Sequence, residues 1–326
     1  MIDMGLLRRT LTYLRPALCL TGAAFLTQCA HHETLVANRD PALIEKKNET
    51  FGYRKWLAKD SDPDVVIIAL HGFDGASIDY ENLGKDLLKN QRNTALYAYE
   101  VRGQGSDPKR DRRGDIDDPA DWYRDLDTFT GIIRKRHPRA KIVWMGESMG
   151  ALITAHSWQQ APLDRKPCDA LIFSSPVVKI RKDVPPWKVG LLNTAAEIAP
   201  MARFSLEQLS GGQDVQMTHT SSHTEQAETN AWHVEKNTLR LLSTLGRHIE
   251  SMDSCATTFR VPVLVLHGKK DFFTDEEAIQ SFTGSIPKSV PVTTKIYPDA
   301  YHLLMYDTHK DEVIRDIEKW VDGLRK

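Results

Sequence analysis

Cysteine is scarce in this chain, with four in 326 residues. That is too few for a disulfide scaffold, so an apolar core must hold the fold, and the length allows a full one. Neither sign of charge dominates. Lys and Arg number 43, Asp and Glu 44, and the formal net charge is −1. No strongly basic face follows from this, so nucleic acid is excluded as an expected partner. The N-terminal apolar run from Ala17 to Leu26 is too short to cross a bilayer comfortably. Internal repeats and long low-complexity tracts are absent, which sets repeat architectures aside. Gly103-Gln104-Gly105 lacks the third glycine of a dinucleotide turn and follows a mid-chain strand. His219 and His223 have zinc-like spacing, but they lie in a polar Ser/Thr run without an H-E-x-x-H pattern. A solvated loop is the expectation there, with no metal.

What the chain does contain centres on Gly146-Glu147-Ser148-Met149-Gly150. An apolar run, Lys141 to Met145, precedes it and a helix-like run, Ala151 to Gln160, follows. This is G-x-S-x-G in a strand–turn–helix setting, the nucleophile elbow. The serine must sit in a strained turn, and bulkier neighbours than glycine would clash with the crossing helix and strand. A serine hydroxyl also needs a base, an acid that orients the base, and donors for the oxyanion. In this fold the partners follow in the order serine, acid, histidine. Val261 to Gly268 reads as a buried strand and turn, with Asp271 directly after it. Val292 to Tyr297 reads as a last strand, followed by His302. Asp275 and Asp299 are alternative acids. His267 ends a strand but precedes Asp271, which makes it a turn histidine rather than the base. Upstream, Val65 to Leu70 suits a buried parallel strand that ends in His71-Gly72-Phe73-Asp74-Gly75. The backbone N–H groups of Phe73 and Met149 are the natural oxyanion pair. His71 would support that loop by hydrogen bonds. Lys109 to Arg113 is basic but balanced by neighbouring aspartates, so a solvated loop is expected.

The alternation of strands and helices from residue 50 onward predicts an α/β fold with helices on both faces of a mostly parallel sheet. The expected elements are strands near 50–58, 65–72, 94–101, 141–147, 170–175, 261–268 and 292–297. Helices are expected near 78–90, 119–136, 149–160, 237–249, 275–284 and 310–324. Residues 177–257 interrupt the pattern and read as an inserted helical cap between core segments 49–176 and 258–326. Trp187, Leu191, Leu192, Ile198, Met201 and Phe204 are apolar there. They either line an acyl-chain site or anchor the cap to the core.

These motifs together resemble the monoacylglycerol lipase and lysophospholipase branch of the α/β-hydrolase superfamily, also called the serine aminopeptidase S33 family. The matching pieces are His71-Gly72-Phe73, Arg102 to Ser106, Arg113-Gly114-Asp115-Ile116, Asp125-Leu126, the Ser148 elbow, His267 to Asp271 and Ala300 to Leu304. They run in family order over roughly residues 65–325. The resemblance implies the α/β-hydrolase fold, Ser148 as nucleophile, Asp271 as acid, His302 as base, a structural role for Asp125, and no cofactor. It implies a carboxylic ester substrate, of monoacylglycerol or lysophospholipid type. Two rivals stay open. A proline-type aminopeptidase would need a carboxylate near the site for a free amine, and the cap offers Glu197, Glu207, Glu225 and Glu228. A non-catalytic surface binding module would need none of the triad.

Arg8, Arg9 and Arg15, the apolar run and Leu26-Thr27-Gln28-Cys29 together resemble a bacterial lipoprotein signal. Residues 1–28 would be removed, Cys29 lipidated, and residues 29–48 left as a polar tether on an exported protein, facing the periplasm or the cell surface. Gln28 departs from the small residue usual at that position; an ordinary signal peptide or an uncleaved anchor are the alternatives. Export would permit cysteine pairing. Cys168 and Cys255 precede consecutive strands that are expected to be neighbours. Their bridge would close about 90 residues and contribute on the order of 4 kcal/mol; two unpaired half-buried thiols are the alternative.

Overall fold

The computed structural model describes residues 33–36, 50–59, 61–90, 93–105, 107–205, 208 and 214–325. Signal residues 1–28, Cys29 and tether residues 30–32 and 37–48 lie outside them, while Glu33–Val36 of the expected tether instead form a strand. Among the described residues the chain from position 31 onward forms one compact unit. Its centre is an eight-stranded sheet built from β1 (Glu33–Val36), β2 (Thr50–Trp56), β3 (Val65–Leu70), β4 (Thr94–Tyr99), β5 (Lys141–Glu147), β6 (Ala170–Ser174), β9 (Val263–Gly268) and β10 (Val292–Tyr297). The order across the sheet is β1-β2-β4-β3-β5-β6-β9-β10. From β4 to β10 every pairing is parallel, while β1 and β2 are joined antiparallel at one edge.

Strand alternation explains both layers. Val66, Ile68 and Leu70 of β3 point into one apolar cluster, and Val65, Ile67 and Ala69 into the other. The first cluster is closed by α2 (Ala120–Arg136), α3 (Met149–Gln160) and α8 (Glu276–Gly284), through residues such as Phe129, Ile153 and Phe282. The second is closed by α1 (Glu81–Lys89) and α9 (Lys310–Gly323), through Leu83, Leu87, Ile314 and Ile317. With both faces covered, β3 and β4 carry no exposed residue, as their continuous apolar sequences require. Helix starts follow local chemistry: the Asp275 side chain accepts from Ala278 N–H at 2.7 Å and so caps α8.

Between β6 and β9 lie α4 (Pro186–Ile198), α5 (His223–Thr229), α6 (Leu239–Glu250), α7 (Met252–Ala256) and a short ribbon of β7 (Arg203–Phe204) with β8 (Asn237–Thr238). The helix expected from residue 237 starts two residues later. Asn237 and Thr238 pair with β7, and the Thr238 hydroxyl caps α6 through Leu241 N–H at 3.1 Å. Leu241, Met252, Cys255 and Ala256 are buried in the core cluster, so α6 and α7 rest on the core.

The disulfide expectation is corrected. β6 and β9 are indeed neighbours, yet Cys168 and Cys255 are both free, buried thiols. Cys255 sits on α7, and its Sγ turns to Gln159 Oε1 at the end of α3, 3.3 Å away. Burial pushes both thiols above their ordinary range, which keeps them protonated and unreactive.

Candidate active site

The carboxyl ends of β3, β5, β9 and the turn after β10 meet at one edge, where an open α/β sheet places its site. Ser148 stands between β5 and α3 with φ 51° and ψ −114°, a strained conformation for a residue with a side chain. Its flanking glycines are required by space. A Cβ on Gly150 would lie 2.1 Å from the Leu70 carbonyl oxygen, and one on Gly146 2.3 Å from that of Gly150. Ser148 N–H donates to the Ser174 carbonyl at 3.0 Å, which ties the elbow to β6.

His302 Nδ1–H donates to Asp271 Oδ2 at 2.7 Å. Asp271 is fixed in turn by Phe273 N–H, which donates to Oδ1 at 2.8 Å. The Phe273 ring meets the imidazole edge to face, with centroids 4.7 Å apart. Ser175 Oγ donates to the His302 carbonyl at 2.5 Å. The alternative acids lie elsewhere: Asp275 caps α8, and Asp299 pairs with Lys270 at 3.3 Å. His267 is fully buried, and its Nδ1 is 3.9 Å from Asp271 Oδ2, beyond hydrogen-bond reach. Burial lowers its basicity, so it stays neutral.

The loop after β3 is held from several sides. His71 Nε2 accepts from Val101 N–H at 3.0 Å, so Nδ1 carries the proton and donates to the Gly72 carbonyl at 2.9 Å. Asp74, with φ 61°, has its N–H bonded to Gln104 Oε1 at 3.0 Å. Phe73 and Met149 both line the cavity in front of Ser148. Met149 opens α3, so its N–H belongs to the group a helix start leaves without an intrahelical acceptor. Behind the loop, Arg102 grips the buried Asp125 of α2 through Nε at 2.7 Å and Nη2 at 2.5 Å. The basic stretch is structural as well: Arg112 Nε donates to Asp107 Oδ2 at 2.6 Å, and Arg113 Nη2 to the Asp107 carbonyl at 2.8 Å.

The cavity holds about 530 Å³ and contains both Ser148 and His302 in its wall. Phe73, Met149, Leu152, Val177, Ile249 and Phe273 form its apolar side. The expected cap lining is corrected: Trp187, Leu191, Leu192, Met201 and Phe204 are not in the wall. Trp187, Leu191, Ile198 and Met201 face outward, at 65, 61, 80 and 55 % exposure. The polar run from Thr218 to Asn230 takes their place, with His223, Gln226 and Asn230 facing the cavity. The reason is that α5 starts with its own polar cap, Ser222 and Glu225 bonded reciprocally. His219 does not join His223; it meets Asp307 Oδ1 at 2.5 Å, on the turn that follows His302.

Sequence reasoning missed three groups here. Asp74 receives the cap through the Val234 N–H, the His233 ring and the Asn230 side-chain amide, the last at 2.9 Å to its carbonyl. Glu147 and Asp79 also face the cavity. Glu147 was legible in principle, because strand alternation sends it to the same face as Val143 and Met145.

The profile of the family described as serine aminopeptidase, S33, matches residues 61–309. A monoacylglycerol lipase of Mycolicibacterium smegmatis is 24 % identical over 274 residues, covering 82 % of this chain and 91 % of that protein. Among solved structures, a soluble variant of monoglyceride lipase from Saccharomyces cerevisiae superposes with a TM-score of 0.73 at 17 % identity, over 90 % of this chain and 96 % of that one. The monoacylglycerol lipase of Paleococcus ferrophilus gives 0.68 at 19 % identity, over 84 % and 99 %. Strand order, elbow and family match agree: this chain is an α/β-hydrolase and belongs to the serine aminopeptidase S33 family.

Proposed function

We propose that this chain is a serine hydrolase of carboxylic esters, of monoacylglycerol or lysophospholipid type. The observation that carries the reading is the 2.7 Å contact between His302 Nδ1 and Asp271 Oδ2, with His302 and the strained Ser148 in the wall of one cavity. Asp271 holds the imidazole so that Nε2 is free to take the Ser148 proton as Oγ attacks the acyl carbonyl. The N–H groups of Phe73 and Met149 stabilise the oxyanion. The imidazolium then protonates the departing alcohol, and water, activated by the same base, releases the acid from Ser148. The relatives named as monoacylglycerol lipases support this substrate class, as does the apolar side of the cavity.

The chain is further proposed to be exported and held at a bacterial membrane surface through a lipidated Cys29. The basic residues, the short apolar run and the cysteine after it support this. No described helix is long and apolar enough to cross a membrane. Mass spectrometry of the membrane fraction is expected to find a mature chain starting at modified Cys29; a soluble chain that retains Met1 refutes it.

Hydrolysis of p-nitrophenyl esters from acetate to palmitate tests the chemistry. The wild-type chain is expected to prefer medium or long acyl groups. Ser148→Ala should lose about a thousandfold or more in kcat. Equal turnover by that variant, or failure of a fluorophosphonate to label Ser148, overturns the assignment.

A further inference from the structure

His302 is held by more than Asp271. The turn that carries it, residues 301–309, folds around the carboxyl of Asp307, which is only 2 % exposed. Tyr301 N–H, one residue before His302, donates to Asp307 Oδ2 at 2.8 Å, and Thr308 N–H donates to Oδ1 at 2.8 Å. Asp307 N–H in turn donates to the carbonyl of Leu303, one residue after His302, at 3.0 Å. Asp307 thus brackets His302 from both sides. Burial alone would raise this carboxyl, yet the donors around it hold it below its ordinary range, so it remains an acceptor.

Two further donors to Asp307 come from the cap. His219 N–H donates to Oδ1 at 2.9 Å, and because a carboxylate only accepts, the ring Nδ1–H donates to the same oxygen at 2.5 Å. The His219 ring also meets Tyr301 edge to face, with centroids 5.1 Å apart. Beside it, Leu303 N–H donates to the Met217 carbonyl at 3.1 Å. Met217 and His219 belong to a hairpin that closes on itself. Gln216 pairs with Ser222, His223 N–H donates to the Val215 carbonyl at 2.7 Å, and the N–H groups of Met217 and Thr218 both donate to the Ser221 carbonyl at 3.0 Å. Thr218, Thr220 and Ser221 of the same hairpin line the cavity. We propose that His219 is a positioning residue for His302: through Asp307 it makes the cap hairpin part of the support of the base.

The two sets of bonds do different jobs. The Asp271 contact sets the direction of the imidazole, while the bonds to Asp307 and Met217 set where the backbone of its turn stands. Nε2 has to come within hydrogen-bond reach of the Ser148 hydroxyl, and an error of about 1 Å in such a placement can cost on the order of a hundredfold in rate. The His219 side chain is 29 % exposed, so its contribution lies in the bond it makes more than in the area it buries. Removing that ring donor leaves the turn intact, because Asp307 Oδ1 keeps the N–H groups of His219 and Thr308 and no buried group is orphaned. The inference rests on the reading of Ser148 and His302 as nucleophile and base, and it gives the cap a second task besides enclosing the substrate.

Two variants of the full chain separate placement from packing. His219→Phe keeps a ring against Tyr301 and removes the donor; His219→Asn keeps a donor near the place of Nδ1. With p-nitrophenyl butyrate, His219→Phe is expected to lose about tenfold in kcat, the size of one hydrogen bond to a charged group, with KM within about twofold of the wild type. His219→Asn should recover kcat to within about threefold of the wild type. Unchanged kcat in His219→Phe, a loss confined to KM, or an equal loss in both variants overturns the positioning role. A second readout does not depend on turnover. In a chain isotopically labelled at histidine, the His302 Nδ1–H resonance, assigned by its loss in His302→Gln, should shift or broaden in His219→Phe and return in His219→Asn. A resonance that stays in place in both variants overturns the proposal. A wild-type chain that hydrolyses no ester and takes up no fluorophosphonate would remove the hydrolase reading, and the resonance would still decide whether His219 places His302.

Discussion

Helices α3 and α4 are alike in sequence character and opposite in placement. Both are apolar around much of their circumference. Helix α3, behind Ser148, buries every residue from Met149 to Trp158, whereas α4, in the cap, buries none. The first is enclosed by β5, α2 and α6; the second leaves Trp187, Leu191 and Ile198 in solvent. Apolar composition alone therefore says that a helix seeks a non-aqueous neighbour, not that the neighbour is in the same chain. In the cap, α4 turns its apolar side chains outward, while the polar run from Thr218 to Asn230 faces the cavity.

Acid should separate the two regions most. On α3 and α6, the His156 and His248 rings meet at a tilt of 43°, with centroids 4.2 Å apart. Burial, helped by the neighbouring His156, holds His248 down to about 4, and burial also lowers His156. Both values lie below that of an unfolded histidine, so the unfolded chain takes up protons first as pH falls. The full stability is present above about pH 6.5 and is lost as pH falls from there toward 4. The loss for His248 is on the order of 3 kcal/mol. Urea midpoints at pH 7 and pH 4.5 measure it, and a midpoint that does not move would contradict the packing of α6 on α3.

Ile153→Ala, on the buried helix, should destabilise by about 2–4 kcal/mol. Asp74→Ala is expected to cost about 1–3 kcal/mol, because it leaves the Val234 N–H without its acceptor. It should also raise KM for esters, since Asp74 joins the cap to the loop that carries Phe73. Thermal melts with KM measurements read both effects; an unchanged KM would detach the cap from the loop after β3. The smallest effect belongs to the outward face. Leu191→Ala should change stability by less than about 0.5 kcal/mol, and a loss comparable to that of Ile153→Ala would show that α4 is covered in solution.

The same contrast explains what was legible from sequence. Strand β5 and helix α3 fall on the residues read for them, because a continuous apolar run, two obligatory glycines and a second apolar run leave one solution. The Asp271–His302 contact follows from strand order, since both residues come directly after parallel strands. The cap resisted because its residues are placed by contacts distant in sequence. Asp74 lies about 160 residues before Val234, and nothing local to either announces the bond. The side to which α4 turns is likewise not written in an apolar pattern that runs most of the way round it. The cysteines misled because neighbouring strands do not force the segments that precede them to meet; Cys255 lies on a helix with its own partner.

Strands β6 and β9 are bonded neighbours, although the whole cap is threaded between them. Loop-closure entropy grows only logarithmically, so doubling that insertion would cost about 0.6 kcal/mol, and one core can carry caps of very different length. The arrangement also orders events on the ribosome. Ser148 and its elbow leave the tunnel about 150 residues before His302. At roughly 5–20 residues per second, His302, the proposed base, is made about 8–30 seconds after Ser148. The residues proposed as nucleophile, acid and base thus come together only once the last strand is in place.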